Sequence, residues 1–108
     1  MATRRKPRRA ELNVTLDEYE ALLEAQGGVC ALCGNPPKTR RLDVDHDHRT
    51  GLIRGLLCSR CNQAIPSERL MPAGWSLYAW ARRVADYAVG ITEVGGVLDE
   101  INRRRKDV

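Results

Sequence analysis

A chain of 108 residues with 43% hydrophobic content is one domain's worth of ordinary water-soluble sequence, and no stretch approaches the roughly 20 apolar residues that cross a bilayer, which excludes a membrane span and a membrane partner from the expectations. Core-filling material is thin, with no Phe and 5% aromatic residues, so a bound metal is expected to compensate for a small core. The net charge of +4 is unevenly placed: Arg4, Arg5, Lys6, Arg8 and Arg9 crowd the start, Arg103 to Lys106 the end, and Lys38, Arg40, Arg41, Arg49 and Arg54 the middle, so a polyanion is the natural partner.

Residues 1–11 read as a basic N-terminal arm. No apolar stretch or small-residue cleavage site follows it, which predicts a cytoplasmic protein rather than a secreted one. In that reducing setting Cys-x-x-Cys pairs bind metal more often than they cross-link. Thr15-Leu16-Asp17-Glu18 has the form of a capping box, and Leu16, Tyr19, Leu22 and Leu23 on one face predict a helix that Gly27-Gly28 stops.

Cys30-Ala31-Leu32-Cys33-Gly34 predicts a knuckle, a tight turn whose amides point at thiolates. Leu42 and Val44 alternate with Asp43 and Asp45, predicting a short strand with one buried face; Arg49-Thr50-Gly51 marks a turn, and Leu52 to Leu57 form the return strand. Cys58 to Ile65 has helical spacing and ends before Pro66, with Cys58 and Cys61 on one face and Asn62 rotated toward the next. In the third part, Leu77, Ala81, Val84 and Ala88 mark the stripe of one helix, widened by Trp75, Tyr78, Trp80 and Tyr87. A second helix, from about Thr92 to Arg105, aligns Val94, Val97, Leu98 and Ile101, although Gly95-Gly96 weakens it.

Two chemistries emerge from the cysteine pairs and the segment between them. Cys30, Cys33, Cys58 and Cys61 make the donor set of a tetrahedral structural zinc. The carboxylates, imidazoles and amide of Asp45-His46-Asp47-His48 and Asn62 have no sulfur among them, and suit a hard divalent ion beside a general base. Asp47 reads as a turn residue and carries no role in this expectation.

The runs Cys30 to Gly34, Asp45 to Gly51 and Arg54 to Asn62 closely resemble the phage recombination endonuclease VII family, a branch of the HNH nucleases, over roughly residues 12 to 65. The resemblance implies a small α+β zinc-stapled domain with a ββα-metal, treble-clef-like nuclease core, an N-terminal helix and C-terminal helices. It implies three parts: the arm 1–11, a nuclease core over 12–65, and a helical extension over 66–108 with a basic C-terminal tail. It makes Asp45 and Asn62 the ligands of a catalytic Mg2+ or Mn2+, His46 the general base, and His48 an accessory histidine for phosphate contact or proton management. Arg49, Arg54 and Arg60 are the candidates for gripping DNA phosphates.

The expected activity is a divalent-metal-dependent DNA endonuclease that leaves a 5′ phosphate and a 3′ hydroxyl, either on branched DNA as the family name suggests or as a nicking or double-strand-cutting enzyme, in the host cytoplasm if a phage encodes it. The alternative is a non-catalytic zinc module that binds nucleic acid. A pure binder has no reason to set Asp45 within a phosphate-facing basic surface, where it repels its ligand unless a cation intervenes. The C-terminal helices are either a second core layer or a homodimer interface, and the resemblance favours the dimer.

Overall fold

The computed structural model describes residues 13–64, 71–90 and 94–106. The arm 1–11, the end of the Cys58 to Ile65 segment with Pro66, and Thr92 lie outside them. The capping box forms as the sequence dictates: the Thr15 side chain accepts from the Glu18 amide, the Glu18 carboxylate accepts from the Thr15 amide, and helix α1 runs Leu16–Ala25. Val14 and Tyr19, the residues flanking the cap at staple positions, are buried, whereas Leu16 is 54% exposed. Leu16 is thus a correction to the predicted face: at the first helical position it points past the core that Val14 enters instead.

Strand β1 (Asp43–His46) pairs antiparallel with β2 (Ile53–Leu57), with Asp43 opposite Leu57, Val44 opposite Leu56, Asp45 opposite Gly55 and His46 opposite Ile53. The register slips between Asp45 and His46, a bulge at the end of β1. The expected one-faced burial also fails, because Val44 and Asp45 are both buried, Tyr87 and Arg54 covering the face that carries Asp45. Asp47 closes the turn as an Asx cap, its Oδ1 accepting from the amides of Arg49 at 2.7 Å and Thr50 at 3.2 Å.

Helix α2 (Ser59–Ala64) follows directly, its first turn closed by the Asn62 amide donating to the Cys58 carbonyl at 2.9 Å. Two strands and a helix thus come consecutively in the chain and pack on one another.

The second edge of β2 is not left bare. The Gln26 side chain accepts from the Leu56 amide at 2.9 Å and donates to its carbonyl at 3.1 Å; Asn102 does the same for Ile53, at 2.8 and 3.1 Å. Two amide side chains from helices stand in for a third strand and satisfy backbone groups that burial would otherwise strand.

Helices α3 (Leu77–Ala88, capped by Ser76) and α4 (Gly95–Lys106) complete the core. In α4 Val94, just before the helix, Leu98 and Ile101 are buried as the spacing predicts. In α3 the predicted stripe holds in part: Val84 packs against the core, whereas Leu77 is 57% exposed, Ala81 and Ala88 lie outside, and Trp80 and Tyr87, expected only to widen the stripe, are its buried residues. The larger aromatic surfaces win the buried face. These two residues join the same hydrophobic cluster as the hairpin, so they form a core layer within one chain; Tyr78, at 74% exposure, faces away.

Arg103 to Lys106 are the last turn of α4, where positive charge suits the helix dipole. Arg104 is bound to the Glu18 carboxylate, and Arg105 donates to the Gly51 carbonyl at 2.9 Å.

Candidate functional site

The knuckle is built by backbone geometry around Cys30. Its sulfur accepts from the Leu32 amide at 3.4 Å, its carbonyl accepts from the Gly34 amide at 3.1 Å, and Gly34 turns the chain at φ +78°. Cys58 and Cys61, at the start of α2, bring the second pair. All four sulfurs lie within 4.8 Å of one another, with Cys33 and Cys58 at 3.9 Å.

A Zn–S bond of about 2.3 Å in a tetrahedron implies sulfur separations of about 3.8 Å, so the cluster has the size and the donors of a structural zinc site. It is the one such group of Cys, His, Asp or Glu among the described residues. The hydrogen bond between Cys30 and Cys61 pulls the Cys30 thiol pKa down and pushes that of Cys61 up, while burial first and neighbouring thiolates second raise Cys33. Crowded thiols resist losing all their protons until a cation joins them.

On the hairpin, His46 ends β1 at the bulge and its ring lies 4.7 Å from that of the exposed His48, tilted by 35°. Neither imidazole makes a hydrogen bond among the described residues, which leaves the ring nitrogens open to an incoming group. Partial burial lowers the His46 pKa below its usual 6.5; the nearby His48, Arg105 and Arg54 add to this and outweigh Asp45. The imidazole is therefore neutral at neutral pH.

Asp45 is 5% exposed and paired. Its Oδ2 accepts from Arg54 Nε at 3.0 Å and from the Tyr87 hydroxyl at 2.8 Å; its Oδ1 has one long contact, 3.4 Å from Arg54 Nη2. Burial first, and then Asp45, hold the Tyr87 phenol pKa well above its ordinary value, so the hydroxyl keeps its proton and donates. Asn62 does not bond to Asp45. Its Nδ2 donates to Asp43 Oδ2 at 3.4 Å, and its carbonyl oxygen is without a hydrogen-bond partner among the described residues.

The arginines separate. Arg49 and Arg60 are exposed, whereas the Arg54 guanidinium is committed to Asp45 and stands 5.8 Å over the Tyr87 ring. A cleft at the cysteine end is lined by Lys38, Arg40, Arg41 and Arg60.

Tyr87 was not legible as a site residue, since 42 positions separate it from Asp45. A signal for some such contact is Gly55, alone inside a strand, which marks the close approach of another group without naming it. A Cβ there would stand 2.9 Å from Tyr87 Cε1.

Residues 4–88 match the family of recombination endonuclease VII. The chain belongs to that family. The match reaches past the hairpin and α2 and takes in α3, the helix that carries Tyr87. Among individual proteins, the chain is 51% identical over 57 residues to the Gene 59 protein of Mycobacterium phage D29, which is 52% of this chain and 34% of that protein. It is also 51% identical over 55 residues to the Gene 59 protein of Mycobacterium phage L5, 50% of this chain and 34% of the relative. The chain thus aligns with about a third of the length of these curated relatives. No solved structure matches it. No helix among the described residues is long and apolar enough to cross a membrane.

Proposed function

We propose that this endonuclease VII family member is a DNA endonuclease of the HNH, ββα-metal kind, with zinc in the four-cysteine cluster and Mg2+ or Mn2+ at the hairpin. The observation that carries the reading is the place of His46, an imidazole at the strand bulge with no hydrogen-bond partner among the described residues, within the hairpin that packs on the cysteine-anchored helix α2. The donors suit a hard ion. The Asn62 carbonyl oxygen has no hydrogen-bond partner among the described residues, and Asp45 Oδ1 is there the less occupied oxygen of its carboxylate. Asp45 and Asn62 are the proposed ligands, with Asp43 the second reading for the carboxylate because it is the one that touches Asn62. A divalent ion held by these residues would supply positive charge against that developing on the scissile phosphate and the departing 3′ oxygen.

The chain's own residues supply the rest. His46 takes the proton of the attacking water at a ring nitrogen, which only the neutral imidazole can do. His48, exposed beside it, contacts the phosphate or relays that proton. Arg49 and Arg60 hold the DNA backbone, and the cleft lined by Lys38, Arg40 and Arg41 extends the positive surface toward the cysteine end. The products carry a 5′ phosphate and a 3′ hydroxyl, and branched DNA is the proposed substrate. The protein acts in the host cytoplasm as a phage product, and any homodimer interface lies on the exposed surface of α3 around Leu77 and Tyr78 rather than on Trp80 or Tyr87.

The test is incubation of purified protein with supercoiled, linear and four-way-junction DNA, with and without Mg2+, comparing wild type with His46→Ala. The wild type is expected to cut only with the metal, and the variant to lose about 100- to 10,000-fold in rate while keeping its zinc and its DNA affinity. Undiminished cutting by the variant removes the base; binding without cutting by both proteins indicates a non-catalytic zinc module. Asp43→Asn beside Asp45→Asn decides which carboxylate is the ligand.

A further inference from the structure

We infer that Tyr87 is a positioning residue for the hairpin metal site, acting with Arg54 to fix the Asp45 carboxylate by Oδ2 and leave Oδ1 as the oxygen that would hold an ion. The inference rests on the metal-dependent reading above. Both donors converge on one oxygen, Oδ2, at 2.8 Å from the phenol and 3.0 Å from Arg54 Nε, and leave Oδ1 with a single contact among the described residues, at 3.4 Å. A carboxylate with one oxygen held by two donors has little freedom to rotate, and its other oxygen is presented at a fixed place.

The fold makes room for this contact. Tyr87 comes from α3, is 3% exposed, and reaches Asp45 over the strand position directly opposite it, Gly55. That glycine, at φ +154°, has no Cβ; one would lie 2.9 Å from Tyr87 Cε1 and 3.4 Å from its hydroxyl. Packing alone does not account for the arrangement, because a buried Phe fills the same space without bringing a hydroxyl to a carboxylate.

Orienting partners of metal-binding carboxylates typically contribute about 10- to 100-fold in metal affinity or activity. Tyr87→Phe keeps the ring and removes the donor. Arg54→Lys, at the partly exposed side of the pair, removes the Nε donor without entering the core and serves as the second variant. Tyr78→Phe, on the exposed face of the same helix, is the control.

Mn2+ binding to the zinc-loaded protein without DNA, followed by electron paramagnetic resonance, is measured for each, together with zinc content and the Mn2+ concentration for half-maximal DNA cleavage. Tyr87→Phe and Arg54→Lys are expected to retain zinc and to bind Mn2+ at least about tenfold more weakly, with part of the cleavage rate recovered at high Mn2+ and Tyr78→Phe unchanged. Wild-type Mn2+ affinity in Tyr87→Phe, alongside weakened binding in Asp45→Asn, overturns the positioning role and leaves the nuclease reading standing. Absence of Mn2+ binding and of cleavage in the wild type overturns both.

Discussion

His46 does its proposed work as a free base, so the direction of its pKa shift fixes the shape of the pH profile. Burial, His48 and two arginines favour the neutral ring and move the pKa below the usual 6.5. Cleavage at saturating metal is therefore expected to be at its plateau at neutral pH and to fall as pH drops through that lowered pKa. A rate that is still rising from pH 7 to 8 at saturating metal contradicts the assignment. Gly55 makes the second claim at this scale. Gly55→Ala sets a Cβ 2.9 Å from the Tyr87 ring, at a φ that L side chains rarely adopt, and is expected to cost about 1–3 kcal/mol of stability. Urea unfolding of the zinc-loaded protein measures it, and an unchanged midpoint removes the proposed close packing. The turn role of Asp47 could be read directly from the sequence, because an Asx cap depends only on neighbouring amides. The partners of Asp45 could not, since Arg54 and Tyr87 reach it from another strand and another helix.

Elements whose signals are local were read with little error. The capping box set the start of α1, and the cysteine spacing set the knuckle and the first turn of α2. The buried face of α3 was read only in part: Val84, Trp80 and Tyr87 do pack inward, but periodicity does not say that the aromatic edge rather than Leu77 and the alanines lies deepest. The Glu18–Arg104 pair joins the α1 cap to the last turn of α4. The hydrogen bond from Arg104 holds the Glu18 pKa below its ordinary 4.5, so the pair's stabilisation is complete above that value and is lost as pH falls through the lower, folded pKa. Acid unfolding of Glu18→Gln, compared with wild type, is expected to show a smaller loss of stability over that range. Parallel curves would mean that the pair contributes nothing.

At the scale of the whole molecule, the two proposed metal sites meet at one helix. Four sulfurs unite the knuckle with α2, and α2 in turn carries Asn62 beside the hairpin of Asp43, Asp45 and His46. The cysteine cluster was legible from spacing alone, whereas the part of the C-terminal helices in the same core was not, because no local pattern records which surface they cover. Thiolates hold zinc far more tightly than two oxygen donors hold Mg2+, so the two sites separate under mild conditions. The most direct measurement is prolonged dialysis against metal-free buffer, followed by zinc analysis and a DNA cleavage assay at increasing Mg2+. The expected result is a folded protein that keeps its zinc, cuts nothing, and regains cleavage as Mg2+ is added. Cleavage that persists with zinc alone, or zinc and activity that vanish together and return only together, would contradict the account.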